Sequence, residues 1–128
     1  MHFLCTGNQG YLGFDFTQYT TVREVIDALG RVKYRGENSN MTGGMRLARE
    51  RLFDTKYGMR PNASRVIILV AEGMPTFDAD KLTEEIARIK NLNIRIMAVG
   101  VTNKVCVVCI RSIVVVTYFV NFVEERLN

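Results

Sequence analysis

A chain of 128 residues fits one domain. Its composition, 48% hydrophobic and 23% charged, is ordinary for a globular protein and excludes an intrinsically disordered chain. The net charge of +4 comes from 17 basic and 13 acidic residues that are interleaved along the sequence, which argues against a basic stripe for nucleic-acid binding.

The start of the chain and its cysteines carry no processing or redox signal. Residues Met1–Gly7 lack the basic region, the long apolar run and the cleavage site of a signal peptide. The three cysteines cannot all pair with one another. Cys106 and Cys109 form a C-x-x-C motif without a redox context or a second pair for zinc, so we interpret them as buried or incidental thiols. His2 is the only histidine, which argues against a histidine-based triad or metal site.

A β-hairpin and a helix are predicted at the start of the chain. The stretches His2–Thr6 and Tyr11–Phe16 predict the two strands, with Asn8-Gln9-Gly10 at the turn. A capping box at Thr21–Glu24 then predicts the start of a helix, which Gly30 ends. Four apolar residues recur at helical spacing and are expected to face the core: Val22, Val25, Ile26 and Leu29.

A loop and a second helix follow. The glycine-containing tract Arg35–Gly44 is predicted to be the loop. Met45, Ala48 and Leu52 mark the apolar side of an amphipathic helix. Its solvent-facing side is expected to carry three charged residues: Arg46, Arg49 and Glu50.

The second half of the chain alternates strands and helices. Arg65–Glu72 is typical of a strand buried on both faces, and Ile94–Val101 predicts a second buried strand. Val105–Ile113 predicts a further helix and Tyr118–Phe122 a third core strand. This order predicts parallel pairing through right-handed crossovers, and therefore an α/β fold with an open, doubly wound, mostly parallel sheet. The helix between the first two strands places three residues on one face: Leu82, Ile86 and Ile89.

The segment Val105–Val123 is almost wholly apolar and about long enough to cross a bilayer. It contains Arg111, whose charge would be costly in the middle of a membrane. The β-branched run Ile113–Val116 also suits a buried strand or its approach. We therefore predict that the segment belongs to a protein core and does not span a membrane.

Two loops of the chain resemble loops of one known family. Asn38-Ser39-Asn40-Met41 falls on the first four positions of the pattern Asn-Thr-x-Thr-Gly. Ala71-Glu72-Gly73 follows a strand where the family has Thr-Asp-Gly. With these loops, the chain from Tyr11 to Leu127 resembles a von Willebrand factor type A domain. The resemblance is greatest to the extracellular-matrix branch of matrilins, cochlin and non-fibrillar collagens.

The resemblance implies metal-binding positions in both loops. In complete family members, three loops supply hydroxyls and carboxylates to a magnesium ion and leave one position open to an acidic partner residue. Ser39 matches a metal-binding threonine, and Glu72 matches the aspartate on a longer side chain. Met41 replaces the second threonine, although a shift of one residue places Thr42 there. The remaining loop, Asp-x-Ser-x-Ser, occurs nowhere in this sequence, so Ser39 and Glu72 are expected to form a vestigial metal site with no cofactor bound.

Each of these two residues also has an ordinary structural interpretation. Ser39 in a loop rich in asparagine suits a turn, and Glu72 at a strand end suits a cap on the turn that follows. The resemblance places Met1 near the start of the family's second strand. Residues 1–128 are therefore expected to be a single partial domain without the first central strand and first helix. The simplest explanation is a fragment or a mispredicted gene product, and a deliberately shortened domain is the alternative.

No catalytic residue is predicted. The glycines do not form a P-loop or a dinucleotide-binding motif, and no nucleophile–base pair stands out. Four acidic residues suit the start of a helix better than a calcium loop: Asp78, Asp80, Glu84 and Glu85.

The resemblance implies a non-catalytic protein-binding and adhesion module that is secreted into the extracellular matrix. Its expected partners are extracellular-matrix or cell-surface proteins, with collagen among them, and neither nucleic acid nor a membrane. A metal-independent intracellular scaffold or recognition module on the same fold is the alternative. An export signal encoded upstream of Met1 would favour the first interpretation.

Overall fold

The computed structural model describes residues 3–71, 78–101 and 117–119. The chain divides into two compact units. The first comprises Met1–Ser64 and Pro75–Glu85, and the second comprises Arg65–Met74 and Ile86–Asn128.

The first unit begins with the predicted hairpin. Strand β1 (Phe3–Thr6) pairs antiparallel with strand β2 (Gly10–Phe14), so that Leu4 lies opposite Leu12. Residues 7–9 form the turn, where the amide of Gly7 donates to the carbonyl of Gln9. The hairpin is confirmed, with its second strand ending two residues earlier than predicted.

Helix α1 (Val22–Gly30) starts at the predicted capping box, where the Thr21 hydroxyl accepts from the amide of Glu24 and the Glu24 carboxylate accepts from the amide of Thr21. The prediction that its apolar stripe faces the core is wrong. Ala28 is buried, whereas Val22, Ile26 and Leu29 are exposed. At about 100° per residue these apolar side chains cover a wide arc, and packing covers only the flank around Ala28.

Helix α2 (Met41–Leu47) continues into a π-helical turn (Ala48–Leu52). Met45, Ala48 and Leu52 are buried as predicted. The predicted loop Arg35–Gly44 is too long at its end, because the helix already begins at Met41 and includes both glycines. A short 3₁₀ turn (Thr55–Tyr57) follows.

Helix α3 (Ala79–Asn91) carries the predicted apolar face, and Leu82, Ile86 and Ile89 are all buried. Glu85, which the sequence analysis groups with the acidic residues of the helix start, lies in the second turn of α3 and is buried as well. Its carboxylate pairs with Arg49, which the sequence predicts on the solvent-facing side of its helix but whose side chain is only 20% exposed. A charged residue can be buried in this way only when an opposite charge meets it.

The second unit contains a parallel sheet in the order β3 (Val66–Ala71), β4 (Arg95–Gly100) and β5 (Thr117–Phe119). Both pairings are parallel, and α3 lies between β3 and β4 in the chain, which confirms the predicted α/β class. Strand β4, which the sequence predicts to be a buried strand, is buried at Ile96, Ala98 and Gly100 and half-buried at the residues between them, whereas Arg95 is exposed.

The prediction that Arg65–Glu72 is buried on both faces is wrong for the described part of that strand. None of the residues of β3 is buried, and Val66, Ile68 and Val70 are exposed. Among the described strands β3 lies at the end of the sheet and pairs only with β4, so fewer neighbours cover it.

Several predicted features lie outside the described residues. These are the helix at Val105–Ile113, the Cys106–Cys109 motif, most of the apolar segment Val105–Val123 and the last part of the strand at Tyr118–Phe122. Of the helices in the described ranges, none combines the length and the hydrophobicity that a bilayer crossing requires.

Candidate functional site

The loop that resembles the family pattern Asn-Thr-x-Thr-Gly, Asn38–Met41, runs into a helix cap. The Asn40 side-chain oxygen accepts from the amide of Gly43 at 2.7 Å and so caps α2. The same residue ties the loop to the hairpin turn. Its amide donates to the carbonyl of Gly7 at 2.8 Å, and its side-chain nitrogen donates to the carbonyl of Asn8 at 2.9 Å. Ser39, immediately before the cap, is therefore held next to a fixed helix start.

Glu37 also anchors this loop to the hairpin. Its Oε2 accepts from the amide of Asn8 and from the hydroxyl of Tyr11, both at 2.9 Å. The Arg35 guanidinium lies 3.8 Å from the centre of the Tyr11 ring. Two hydrogen bonds lower the pKa of Glu37, because both favour the ionised carboxylate. The larger effect comes from the Asn8 amide and the smaller from the Tyr11 hydroxyl.

Sequence reasoning missed Glu37 and Asn40. Asn40 had a usable signal, since asparagine is a preferred cap residue. Glu37 had none, because its partners are 26 and 29 residues away in the chain.

The hydroxyl-bearing residues at the end of this loop and in the first turn of α2 have different environments. Ser39 is half-buried and takes part in at least one interaction within the structure. Thr42, which a shift of one residue would place at the second threonine position, is fully buried, and its hydroxyl donates to the carbonyl of Asp78 at 2.8 Å. Thr42 therefore connects the start of α2 to the residue before α3. Met41 is buried, and its thioether side chain has no oxygen to offer a metal.

Of the two predicted metal ligands, only Ser39 lies within the described residues. Ser39 lies before α2, whereas Glu72 follows the last residue of β3 and lies outside the described ranges. Across residues 3–71, 78–101 and 117–119, no group of three or more His, Cys, Asp or Glu side chains could hold a metal ion. A hard divalent ion needs several oxygen ligands, carboxylates among them, so this described donor set by itself does not fit one.

Comparison with known proteins places these loops in a family context. A family model described as the von Willebrand factor type A domain matches residues 7–118. The chain is 33% identical to integrin alpha-1 from Gallus gallus over 89 residues, which covers 69% of this chain and 31% of that protein. It is 27% identical to cochlin from Cavia porcellus over 68% of this chain and 16% of that protein. It is 28% identical to the human collagen alpha-1(XX) chain over 70% of this chain and 7% of that protein.

Solved structures agree on the fold. Proximal thread matrix protein 1 from the mussel byssus superposes with a TM-score of 0.86 and 16% identity, over 94% of this chain and 32% of that chain. A form of the same mussel protein with a zinc-occupied MIDAS motif gives a TM-score of 0.84 over 94% of this chain and 31% of that chain. The present chain thus spans a third or less of each of these proteins.

Proposed function

Because the chain belongs to the von Willebrand factor type A domain family, we propose that it is a non-catalytic protein-binding and adhesion module of an extracellular-matrix protein. The observation that carries this proposal is its similarity to an integrin, to cochlin and to collagen chains. Its partner would be an extracellular-matrix or cell-surface protein, with collagen as the first candidate, and its location would be outside the cell. Residues 1–128 act in this proposal as a single partial domain.

The chemistry of the described loop supports binding over catalysis. Glu37, Asn40 and Thr42 each hold backbone groups of other segments in place. Side chains that are committed to such hydrogen bonds stabilise a surface, whereas a general base must be able to reach a proton of the substrate. These hydrogen bonds hold the loop against the hairpin as a surface that a protein partner can contact.

A direct binding measurement tests the adhesion function. The full chain is passed over immobilised triple-helical collagen, over its heat-denatured form and over a panel of purified matrix proteins, and surface plasmon resonance is recorded with magnesium and with EDTA. We expect saturable binding that EDTA leaves unchanged. Binding to a matrix protein other than collagen would correct the partner, and no saturable binding to any of them would contradict the adhesion function.

The same proposal holds that Ser39 and Glu72 are vestigial metal positions, so that the chain binds its partner without magnesium. Two observations support it: the sequence contains no Asp-x-Ser-x-Ser loop, and the Thr42 hydroxyl is committed to a backbone carbonyl. One hydroxyl and one carboxylate leave most of an octahedral shell to water, which predicts weak affinity.

Isothermal titration calorimetry with magnesium and with manganese tests this prediction. We expect no stoichiometric binding in the micromolar range for the unchanged chain, for Ser39→Ala or for Glu72→Ala. Micromolar binding that is lost in Glu72→Ala, but kept in the exposed control Asp27→Ala, would show that a usable metal site is present.

A further inference from the structure

Two tripeptides in the chain match the acceptor motif for N-linked glycosylation. The motif is asparagine, then any residue except proline, then serine or threonine. It occurs as Asn40-Met41-Thr42, the Asn40 motif, and as Asn62-Ala63-Ser64, the Asn62 motif. Such a short pattern also arises by chance, so the local structure at each motif has to show whether a glycan can be attached there.

The Asn62 motif begins in an exposed turn. The amide of Ala63 donates to the carbonyl of Arg60 at 3.1 Å, which closes a four-residue turn with Pro61 and Asn62 at its centre. Proline is favoured at the second position of such a turn because its φ angle is already fixed there. Asn62 is exposed, and so are the two residues before it. A bulky glycan on Asn62 would therefore extend into solvent without disturbing the core.

The hydroxyl of the Asn62 motif is accessible as well. Ser64 is exposed, and residues 58–65 contain neither helix nor strand. In the part of the chain that the structure describes, neither the Asn62 carboxamide nor the Ser64 hydroxyl forms a hydrogen bond. A transferase can therefore bind this segment after opening one turn, and the attached sugar would break no described side-chain contact.

The Asn40 motif is closed by the fold. Asn40 Nδ2, the atom that would carry the sugar, donates to the carbonyl of Asn8 at 2.9 Å, while the side-chain oxygen of Asn40 caps α2. The Thr42 side chain is fully buried, and its hydroxyl donates to the carbonyl of Asp78. A glycan on Asn40 would have to displace the hairpin turn, so the folded chain excludes it.

We propose that Asn62 is a site of N-linked glycosylation and that Asn40 is not. The inference rests on the proposed extracellular location, because this modification is made on chains that are secreted. In the reaction, Asn62 Nδ2 forms a bond to the anomeric carbon of an oligosaccharide carried by a lipid diphosphate. The bond from that carbon to the diphosphate oxygen breaks, the lipid diphosphate leaves with the electron pair, and one amide proton passes to a base of the transferase.

The alternative is that Asn62 serves only the turn. Asparagine is favoured in turns because its side chain can bond to nearby backbone and because it tolerates unusual backbone angles. The Asn62 side chain makes no such bond within the described residues, so the turn closes through backbone groups and Pro61 alone. An asparagine that only served the turn would remain unmodified in an exported chain, which separates the two interpretations.

Expression of the full chain in animal cells behind an added, cleavable signal peptide tests the proposal. Cell extract and medium are analysed together by gel electrophoresis, with and without peptide-N-glycosidase. We expect a single mobility shift that the glycosidase removes. The added peptide brings the chain into the secretory pathway whatever its natural location, so failure here is distinct from failure of matrix binding, which the collagen measurement tests. The mass of the N-terminus verifies that the signal peptide was removed and that the chain was exported.

Substitutions assign the shift to one motif. Asn62→Gln and Ser64→Ala should each abolish it, whereas Ser64→Thr keeps the hydroxyl and should retain it. Asn40→Asp is the matched control, because it removes the other motif, keeps an oxygen for the α2 cap and should leave the shift unchanged. The glycosidase converts a glycosylated asparagine into aspartate, so peptide mass spectrometry locates the site directly.

Three outcomes would overturn the proposal. The first is an exported chain without any shift that the glycosidase removes, which would leave Asn62 as a turn residue only. The second is a shift that persists in Asn62→Gln. The third is a glycan on Asn40 in the secreted protein, because the hydrogen bonds of the folded chain would then not protect that motif.

Discussion

Arg49 and Glu85 form a buried ion pair that links the π-helical turn after α2 to α3. The Glu85 side chain is only 2% exposed, and Arg49 Nε lies 2.5 Å from its Oε1. Arg46 adds a second cation at 3.9 Å. The hydrogen bond to Glu85 raises the pKa of Arg49, so that the guanidinium remains charged. A buried carboxylate loses its hydration, and these cations replace it.

Removing one partner of this pair should be costly. Arg49→Ala leaves the Glu85 carboxylate buried without its main counter-charge and should lower the free energy of unfolding by about 3 kcal/mol. Urea denaturation measures the change. Arg23→Ala removes the same type of side chain at an exposed position of α1 and is the control, which should stay within about 0.5 kcal/mol. Equal effects of the two substitutions would show that the ion pair contributes little.

Glu37 should make the loop before α2 sensitive to acid. The pKa of Glu37 in the folded chain lies below the ordinary value of 4.5. The contribution of this carboxylate to folding stability is therefore fully present above the unfolded pKa and is lost as the pH falls through the folded pKa. We expect the NMR signal of the Asn8 amide, which donates to Glu37, to shift as the pH falls below about 4.5. Glu37→Gln should abolish this step, and Glu50→Gln should not. An Asn8 titration that persists in Glu37→Gln would rule out this carboxylate as its source.

At the scale of elements, the contact between α2 and the hairpin explains Gly44 of the helix and Gly10 of the hairpin, whereas Gly43 lies against the Asn40 side chain that caps the helix. A Cβ atom on Gly44 would clash with Cγ2 of Thr6, and one on Gly10 would lie 3.0 Å from the carbonyl oxygen of Gly43. Glycine pairs usually indicate a loop. Here Gly44 permits a close approach of helix and strand, and the Asn40 cap offsets part of the low helix propensity of the pair.

A pair of alanine substitutions tests this close approach. Gly44→Ala should destabilise the fold by about 1–3 kcal/mol, because the new methyl group overpacks the contact with Thr6. The second variant Thr6→Ser removes the opposing methyl and should restore part of the loss. Gly30→Ala meets nothing within 4 Å and should stabilise by about 0.5–1 kcal/mol. A Gly44→Ala variant as stable as the unchanged chain would mean that the helix does not lie this close to the hairpin.

At the scale of the whole molecule, the described strands form two sheets, and β3 lies at the end of one of them. Ile68 and Val70 are each 64% exposed on one face of this strand. Each large apolar side chain left in water forfeits roughly 1.5–3 kcal/mol, and a typical domain has only about 5–15 kcal/mol of stability. Exposed apolar strands also pair with other chains. We therefore expect low stability and self-association for the isolated chain.

A charge on the exposed face of β3 should reduce this self-association. Ile68→Lys places a cation where another strand would dock and should raise the monomer fraction in size-exclusion chromatography with light scattering. Leu92→Lys, at an exposed apolar residue outside β3, adds the same charge as a control. If both variants behave alike, net charge and not β3 governs solubility. A chain that is already monomeric and unfolds cooperatively at high temperature would contradict the expectation altogether.

The sequence by itself determined the features that depend on near neighbours. The capping box at Thr21, the apolar face of α3 and the order of strands and helices are all set within a few residues, because hydrogen bonds and side-chain periodicity act over one helical turn or one strand. The family resemblance also follows from local patterns. Only the tertiary structure decided that Glu85 is buried beside Arg49 and that Glu37 holds Asn8, since these partners are 36 and 29 residues apart. It also decided that one flank of α1 and one face of β3 remain exposed. An apolar pattern shows which side of an element can be buried, but burial itself requires another segment to pack against it.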